Sequence, residues 1–216
     1  IAQPPLYRIK KGKSEKYIKD DKEFLREILR RATENVHVMV GNGQPERLDG
    51  GELRQFLISL DEFQQLFSRL ERRLTSARVV EVLADPTLRI DTKAEFADEA
   101  NLTELKVRLE ALGLKARIVA EEEHSGWQVA FHAEGQGDRM LGIDLASSPE
   151  YKRLRLIARQ VQKFNKPPFI VVKDTRREEI ADWRALIAHL KSEGMKDVNI
   201  QRYKGWHRKV NCQQSE

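Results

Sequence analysis

One cysteine, Cys212, stands in 216 residues, so no internal disulfide can form and no sulfur-rich metal site can be built. Long hydrophobic runs are missing too: no apolar stretch approaches the ~20 residues of a membrane span. The opening residues Ile1-Ala2-Gln3-Pro4-Pro5 have neither the basic start nor the apolar core of a secretory leader. They also lack an initiator Met, and the chain reads as a piece of something longer. The five histidines, His37, His124, His132, His189 and His207, form no HExxH pair, and there is no CxxC. His37 reads as a sheet residue and His124 as a turn residue. No phosphate-cradling GxxxxGK[ST] loop and no GxSxG elbow is present. Gly135-Gln136-Gly137 lacks the strand-turn-helix setting of a dinucleotide site and reads as a hairpin turn. Glu121-Glu122-Glu123 are consecutive carboxylates that point apart at a strand end and stay solvated. The sequence therefore contains no complete catalytic centre and no metal site.

What is present is charge. Hydrophobic residues make up 40% of the chain and charged residues 34%, with a net charge of +5. That composition folds as a globular chain, and the length fits one large domain or two small ones. The charge is unevenly spread. Arg8 to Lys22 holds seven Lys/Arg against three acids, and Glu150 to Arg177 holds nine against two. Val79 to Glu123 reverses the sign, with eleven acids and six bases. Basic stretches of this kind are either solvated faces or a surface for a polyanion. The acidic middle raises the further possibility of DNA mimicry or repulsion.

The patterning predicts an α+β chain. Leu6–Ile9 and Lys16–Ile18 flank Lys11-Gly12-Lys13 as a β-hairpin. Asp20 and Asp21 cap a helix carrying Phe24, Leu25, Ile28 and Leu29. Val36–Val40 is a strand candidate. Gly50 to about Leu83 reads as helix in two or three pieces, with Asp61 and Ser76 as internal caps. Asn101 caps a helix that ends at Gly113. Ala116–Ala120, Trp127–Phe131 and Met140–Asp144 form a meander. A helix from Pro149 to Phe164 is capped by Ser147 or Ser148, and Phe169–Val172 is a strand. Glu178 to Glu193 reads as an amphipathic helix, and Val198–Tyr203 as a last strand.

The basic residues with aromatic neighbours lie near both ends. Tyr7, Arg8, Lys10, Lys11 and Lys13 lie in or beside the first hairpin, and Arg202, Tyr203 and Lys204 lie at the last strand. Cations on a strand edge suit phosphate contacts, and a ring beside them can pack on sugar or base.

Two stretches carry a resemblance. Ile1-Ala2-Gln3-Pro4-Pro5-Leu6-Tyr7-Arg8-Ile9-Lys10-Lys11-Gly12-Lys13, followed by Tyr17-Ile18-Lys19-Asp20-Asp21, resembles a segment of the B subunits of DNA gyrase. Gln201-Arg202-Tyr203-Lys204-Gly205 looks like the start of a second hallmark of that family. Both hallmarks belong to its TOPRIM region, which holds the magnesium of the type IIA topoisomerase cleavage centre. In the compact family members little more than a helix separates them. Here roughly 180 residues intervene, similar to the large insertion of many gram-negative gyrases, and Pro167-Pro168-Phe169 with Ala181–Leu186 resembles the return path.

The resemblance implies a fold of TOPRIM-derived strands and helix from both chain ends, at 1–34 and 176–205. An inserted α+β domain, with a helical part and an antiparallel meander, spans 35–175. The tail 206–216 departs from the family's continuation. The family's magnesium-binding Glu and Asp-x-Asp, and its ATPase domain, lie upstream of Ile1, so no catalytic residue and no metal or nucleotide cofactor is carried over to this chain. Mg and ATP are implied for the full-length enzyme, which is ATP-hydrolysing, cytoplasmic and bacterial; the piece alone is expected to be inactive.

Carried over by position, Arg202 and Lys204 face the DNA gate and Tyr203 packs behind them. Lys10, Lys11 and Lys13 face the DNA backbone or the partner subunit, and Gln3, Pro4, Pro5 and Tyr7 shape the adjoining strand; Arg8, beside them in the hairpin, is counted with the DNA-binding residues. Simple sheet packing is the competing reading of Tyr7 and Tyr203. The implied partners are duplex DNA and the gyrase A subunit, in a heterotetramer of two A and two B subunits, with no membrane. A topoisomerase IV B-subunit fragment and a non-catalytic protein-interaction module are the alternatives.

Overall fold

The hairpin predicted at the start of the chain forms as β1 (Tyr7–Lys11) and β2 (Ser14–Ile18). Gly12 takes a positive φ of 57° in the two-residue turn, a conformation glycine adopts without a Cβ penalty. A computed structural model describes residues 5–41, 45–121, 126–133, 135 and 137–203. The last strand, β10 (Asn199–Arg202), pairs antiparallel with β1, giving the sheet order β10-β1-β2. Opposite ends of the sequence therefore share one sheet. Its inward residues Tyr7, Ile9 and Ile18 make a small core with Ile28, flanked by Leu6, Phe24, Val198 and Ile200.

Phe24 and Ile28 come from α1 (Asp21–Ala32), capped by the Asp20 carboxylate, which accepts from Glu23 N at 2.7 Å. Helix α8 (Trp183–Met195) packs against α1. Gly194 lies at the crossing, where a Cβ would sit 2.1 Å from the Ile28 carbonyl oxygen. Arg31 fastens the same joint, donating from Nε to Gly194 O at 2.9 Å and from Nη2 to Lys196 O at 3.2 Å. These bonds satisfy carbonyls that a helix end leaves without partners.

A second antiparallel sheet has the order β4-β3-β8-β9, from β3 (Val36–Val40), β4 (Glu46–Asp49), β8 (Phe169–Lys173) and β9 (Arg176–Ile180). Over it runs α2 (Gly50–Leu74), 25 residues and so about 37 Å long. Its apolar stripe of Leu53, Phe56, Leu57, Leu60, Phe63, Leu66, Phe67 and Leu70 is buried. α2 packs on α3 (Ala77–Ala84) and on α7 (Pro149–Gln162), with Ser76 and Ser148 as the respective caps.

The third sheet is the meander β5 (Ala116–Glu121), β6 (Gly126–Ala133) and β7 (Gly137–Leu141). Val129, Phe131 and Leu141 turn inward to α4 (Lys93–Ala97) and α5 (Glu99–Ala111). α6 (Ile143–Ser147) links β7 to α7.

The α+β class expected from the sequence is the one observed, and several local expectations change. Asp61 does not cap a second helical piece. α2 runs through it, and the side chain is buried, binding Lys191 Nζ and accepting from Gln65 Nε2 at 2.7 Å. Asp98, not Asn101, caps α5, accepting from Asn101 N at 3.1 Å. The strand expected over Met140–Asp144 ends at Leu141 and yields to α6. Glu178 and Glu179 belong to edge strand β9, not to a helix. Only Ile180 of that strand is buried, and a charged edge strand has little apolar periodicity to announce it.

Between α3 and α4, residues 85–92 follow no regular element. Arg155 of α7, 2% exposed, holds them. It donates to Asp91 Oδ1 at 2.6 Å and to the carbonyls of Leu83, Asp85 and Leu88. Tyr151 adds a bond from its hydroxyl to Ile90 O at 2.8 Å. One buried guanidinium thus serves acceptors that no secondary structure satisfies.

Candidate nucleic-acid interface

Strand alternation sorts the basic residues of the end sheet onto two faces. Tyr7 and Ile9 point into the small core, so Arg8 and Lys10 point away from it. The register places Arg8 opposite Tyr17 on β2 and Gln201 on β10, and Lys10 opposite Glu15 and Asn199. Tyr203 extends the ladder, its backbone N–H donating to Leu6 O at 3.0 Å. Its hydroxyl is close enough to Arg8 and Tyr17 to influence their protonation. The outward face therefore carries Arg8, Lys10, Tyr17 and Tyr203, with Tyr17 55% exposed.

Arg8 is not idle there. Its Nη2 donates to Glu15 Oε2 at 2.6 Å and its Nε faces Oε1. The Arg8 guanidinium, helped by a hydrogen bond from Tyr17, lowers the Glu15 carboxyl to about 2. The same pairing raises Arg8, and the bond to Glu15 raises Tyr17. On this face the Arg8–Glu15 ion pair stands beside Tyr17, the register partner of Arg8.

Arg202 lies on the other face. It is the register partner of Tyr7, and its guanidinium stands 5.5 Å from the Tyr7 ring centroid, in reach of a cation–π contact. Tyr7 is buried, stacks on Phe24 at 4.4 Å between centroids and donates its hydroxyl to Asp21. That bond, then burial, raises the Tyr7 phenol. Arg202 is thus parted from Arg8 and Tyr203 by the thickness of the sheet. Lys11 and Lys13 flank Gly12 at the exposed hairpin tip, and Pro5 leads into β1. Gln3, Pro4 and Lys204 lie outside the described residues, as do His124, His207, Glu122, Glu123 and the tail 206–216.

The sequence reasoning passed over Tyr17 and Glu15. The signal was available: a two-residue turn at Gly12-Lys13 fixes Arg8 opposite Tyr17 by counting alone.

The remaining titratable groups do not converge. Among the described residues, no group of three or more His, Cys, Asp or Glu side chains could hold a metal ion. His132 pairs with Asp138 at 3.2 Å beside Arg117, and His189 with Glu178 at 3.4 Å. A cleft of about 360 Å³ between β8, β9 and the ends of α1 and α8 carries Lys173, Arg176 and Lys196 against Asp174, Glu178 and Glu193, with no excess of either sign. The acidic middle is largely spoken for by the fold itself. Asp85 and Glu104 hold Arg108, Asp91 holds Arg155 and Arg159, and Glu81 faces Arg184. Glu95 and Asp98 cap helices. Among the described residues these carboxylates are therefore paired or capping rather than free.

The chain matches the family model described as GyrB, hook, over residues 5–26. That span covers β1, β2 and the first half of α1. It is 24% identical over 216 aligned positions to the DNA gyrase B subunit of Rickettsia bellii, covering 95% of this chain and 26% of that protein. With the DNA gyrase B subunit of Rickettsia conorii the identity is 26% over the same shares. The type 2 topoisomerase B subunit of Aquifex aeolicus is 41% identical over 70 residues, 32% of this chain and 9% of that protein. The chain thus spans about a quarter of the length of the full-length-aligning relatives. These matches support a piece of a gyrase-type B subunit.

Proposed function

We propose that this chain works as a segment of the DNA gyrase B subunit, bringing DNA and subunit contacts to the cleavage gate of an ATP-dependent, DNA-supercoiling type II topoisomerase. The observation that carries the reading is the end sheet. The stretch similar to the hook family, residues 5–26, pairs with the strand that leads into Arg202-Tyr203-Lys204. Cations and phenols collect on it: Arg8, Lys10, Tyr17 and Tyr203 on the outward face, Lys11 and Lys13 at the tip, Arg202 over Tyr7. Phosphate contacts need cations and polar donors, and rings beside them pack on sugars or bases.

In this reading Arg8, Lys10 and Tyr203 meet DNA from the outward face and Lys11 and Lys13 from the hairpin tip, while Arg202, exposed on the opposite side of the sheet, and Lys204 reach it from the sheet's edge. Gln3, Pro4, Pro5 and Tyr7 shape the strand beside it. Residues 1–34 and 176–205 form one unit around an inserted unit, 35–175. α8 is shared, since Trp183 packs on Phe63 and Phe67 of α2 while Gly194 packs on α1. The partners are duplex DNA and the gyrase A subunit, in a cytoplasmic bacterial heterotetramer of two A and two B subunits. Mg and ATP serve the full-length enzyme. The described residues offer no metal-binding cluster, so no chemical step is assigned to a metal here, and the chain alone is expected neither to hydrolyse ATP nor to relax DNA.

The test is a gel-shift or anisotropy comparison of the chain with its K10Q/K11Q/K13Q and R202E/K204E variants on duplex DNA. Each variant is expected to weaken binding, with a salt slope lower by about 0.9 per lost phosphate contact. Unchanged affinity in both would favour a protein-interaction module over a DNA-facing one.

A further inference from the structure

The described residues form three sheets with six edge strands between them. An edge strand is a template for pairing with another chain unless something blunts it. Five of the six are blunted. β9 sets four exposed charges, Arg176 to Glu179, along its edge. β2 carries Glu15 and Lys16. β4 and β10 are four residues each, with Arg47 and Asp49 on the first and Arg202 on the second. β7 turns Arg139 to the same face as the buried Leu141, an inward charge. β5 is different. Its centre, Ile118-Val119-Ala120, is apolar, with Ile118 and Val119 only half-buried. Its Arg117 reaches across the sheet to the Asp138 carboxylate on β7, away from the open edge.

The ladder fixes which backbone groups of β5 stay open. Lys115 O accepts from His132 N at 2.9 Å, and the register continues with Ala116 opposite Phe131 and Arg117 opposite Ala130. Bonded and non-bonded positions alternate along an antiparallel pair. Arg117, Val119 and Glu121 therefore exchange bonds with β6. The N–H and C=O groups of Ala116, Ile118 and Ala120 point the other way, to the edge. Among the described residues no strand or backbone group bonds them from that side.

We infer that β5 pairs edge to edge with β5 of a second copy of this chain, antiparallel about a two-fold axis at Ile118, joining two meanders into one continuous sheet. The inference does not depend on the DNA-facing reading proposed above. Symmetry in the sequence chooses the occupant. Lys115-Ala116-Arg117-Ile118-Val119-Ala120-Glu121 matches its own reversal where a two-fold interface requires it. Ala116 comes opposite Ala120 of the second copy, and Ile118 opposite Ile118, so every open residue of β5 is bonded. That makes about six backbone hydrogen bonds across the seam. One face of the seam then carries a small, a large and a small side chain in a symmetric row. On the other face the non-bonded positions meet at the closer spacing, about 4.5 Å between Cα atoms. There Lys115 stands opposite Glu121 of the second copy, an unlike pair that the two-fold repeats. A foreign segment would have no need of this symmetry.

The experiment combines sedimentation velocity with residue-resolved amide hydrogen exchange on the whole chain. The concentration series runs up to about 1 mM, because a seam of one strand belongs to the small, weak class of interfaces. The mass is expected to rise with concentration from 25.1 kDa toward twice that value. The amides of Ala116, Ile118 and Ala120 should slow in step with it, while the amide of Val119, already bonded to β6, should not change. Ala120→Pro removes an open N–H and leaves the β5–β6 ladder whole, so this variant is expected to stay monomeric with the thermal unfolding of the parent. Lys115→Glu should weaken the dimer about 10-fold, since it places like charges opposite each other twice. The swap K115E/E121K should restore it. A chain that stays at 25.1 kDa, with all three amides exchanging alike at every concentration, overturns the inference. A dimer that persists in Ala120→Pro lies on another face and also overturns it. If a folded K115E/E121K variant recovers nothing, the two-fold at Ile118 is wrong.

Discussion

Gly194 and Glu27 show how single residues set the joint between the two ends of the chain. At Gly194 the α1 and α8 backbones come so close that an added Cβ would lie 2.1 Å from Ile28 O and 2.8 Å from Ile28 Cγ2. Neither atom is the far end of a flexible side chain, so the helices must part. Gly194→Ala is expected to cost about 1–3 kcal/mol, read as a lower urea midpoint with β10 loosened from β1 in hydrogen exchange. Glu27, 8% exposed, accepts from Arg30 and Lys16. Arg30 first, then Lys16, draw its carboxyl down to about 2 against the opposition of burial. A folded value below the unfolded one of about 4.3 means that the folded state holds this proton less tightly. The stabilisation is therefore full above pH ~4.3 and fades as pH falls toward 2. Glu27→Gln should lower stability at neutral pH and flatten the stability curve across that acid window in pH-stepped denaturation. An equally steep curve in the variant would place the acid sensitivity elsewhere.

Elements were legible where apolar period and end signals agreed. The hairpin, α1 with Asp20, α7 with Ser148 and Pro149, and the first two strands of the meander could all be read from those cues. They failed where tertiary contacts overrode local grammar. Asp61 has a capping residue's chemistry, yet it is buried mid-helix because Lys191 arrives from α8, 130 residues away in sequence. β9 is a run of charges with a single buried residue, and its strand character comes from pairing with β8. The candidate face was half legible. Its cations are plain in the sequence, but the separation of Arg202 from Arg8 and Tyr203 follows from β10 pairing with β1, a contact no local pattern encodes. Arg155 is the strongest case of a non-local element, since it organises residues 85–91 from α7. Arg155→Met would leave Asp91 short of one of its two arginines and take a donor from the carbonyls of Leu83, Asp85 and Leu88, the last two keeping the backbone N–H groups of Leu88 and Ile90. We expect a loss of about 3–5 kcal/mol, with protease cutting between α3 and α4. Resistance equal to the parent's would show that the loop holds itself.

Among the described residues the molecule has two cores that share α1, which gives Ile28 to the smaller and Leu29 and Ala32 to the larger, with α8 packed against it. The smaller unites the two ends of the chain under a sheet of cations and phenols. The larger carries the other two sheets, α2 and the acidic middle, whose carboxylates are mostly tied up in caps and ion pairs. The sign pattern of the sequence therefore has unequal consequences: the described acids of the middle mostly pair with arginines or cap helices, Arg153, Arg155 and Arg159 of the second basic stretch are held by carboxylates, and the cations of β1, the hairpin tip and β10 come to one sheet. The most direct test of that account is the affinity of the whole chain for a short DNA duplex as salt is raised. With Arg8, Lys10, Lys11, Lys13, Arg202 and Lys204 on phosphates, log K should fall against log salt with a slope of about −5. An affinity that stays flat from low to moderate salt would contradict it.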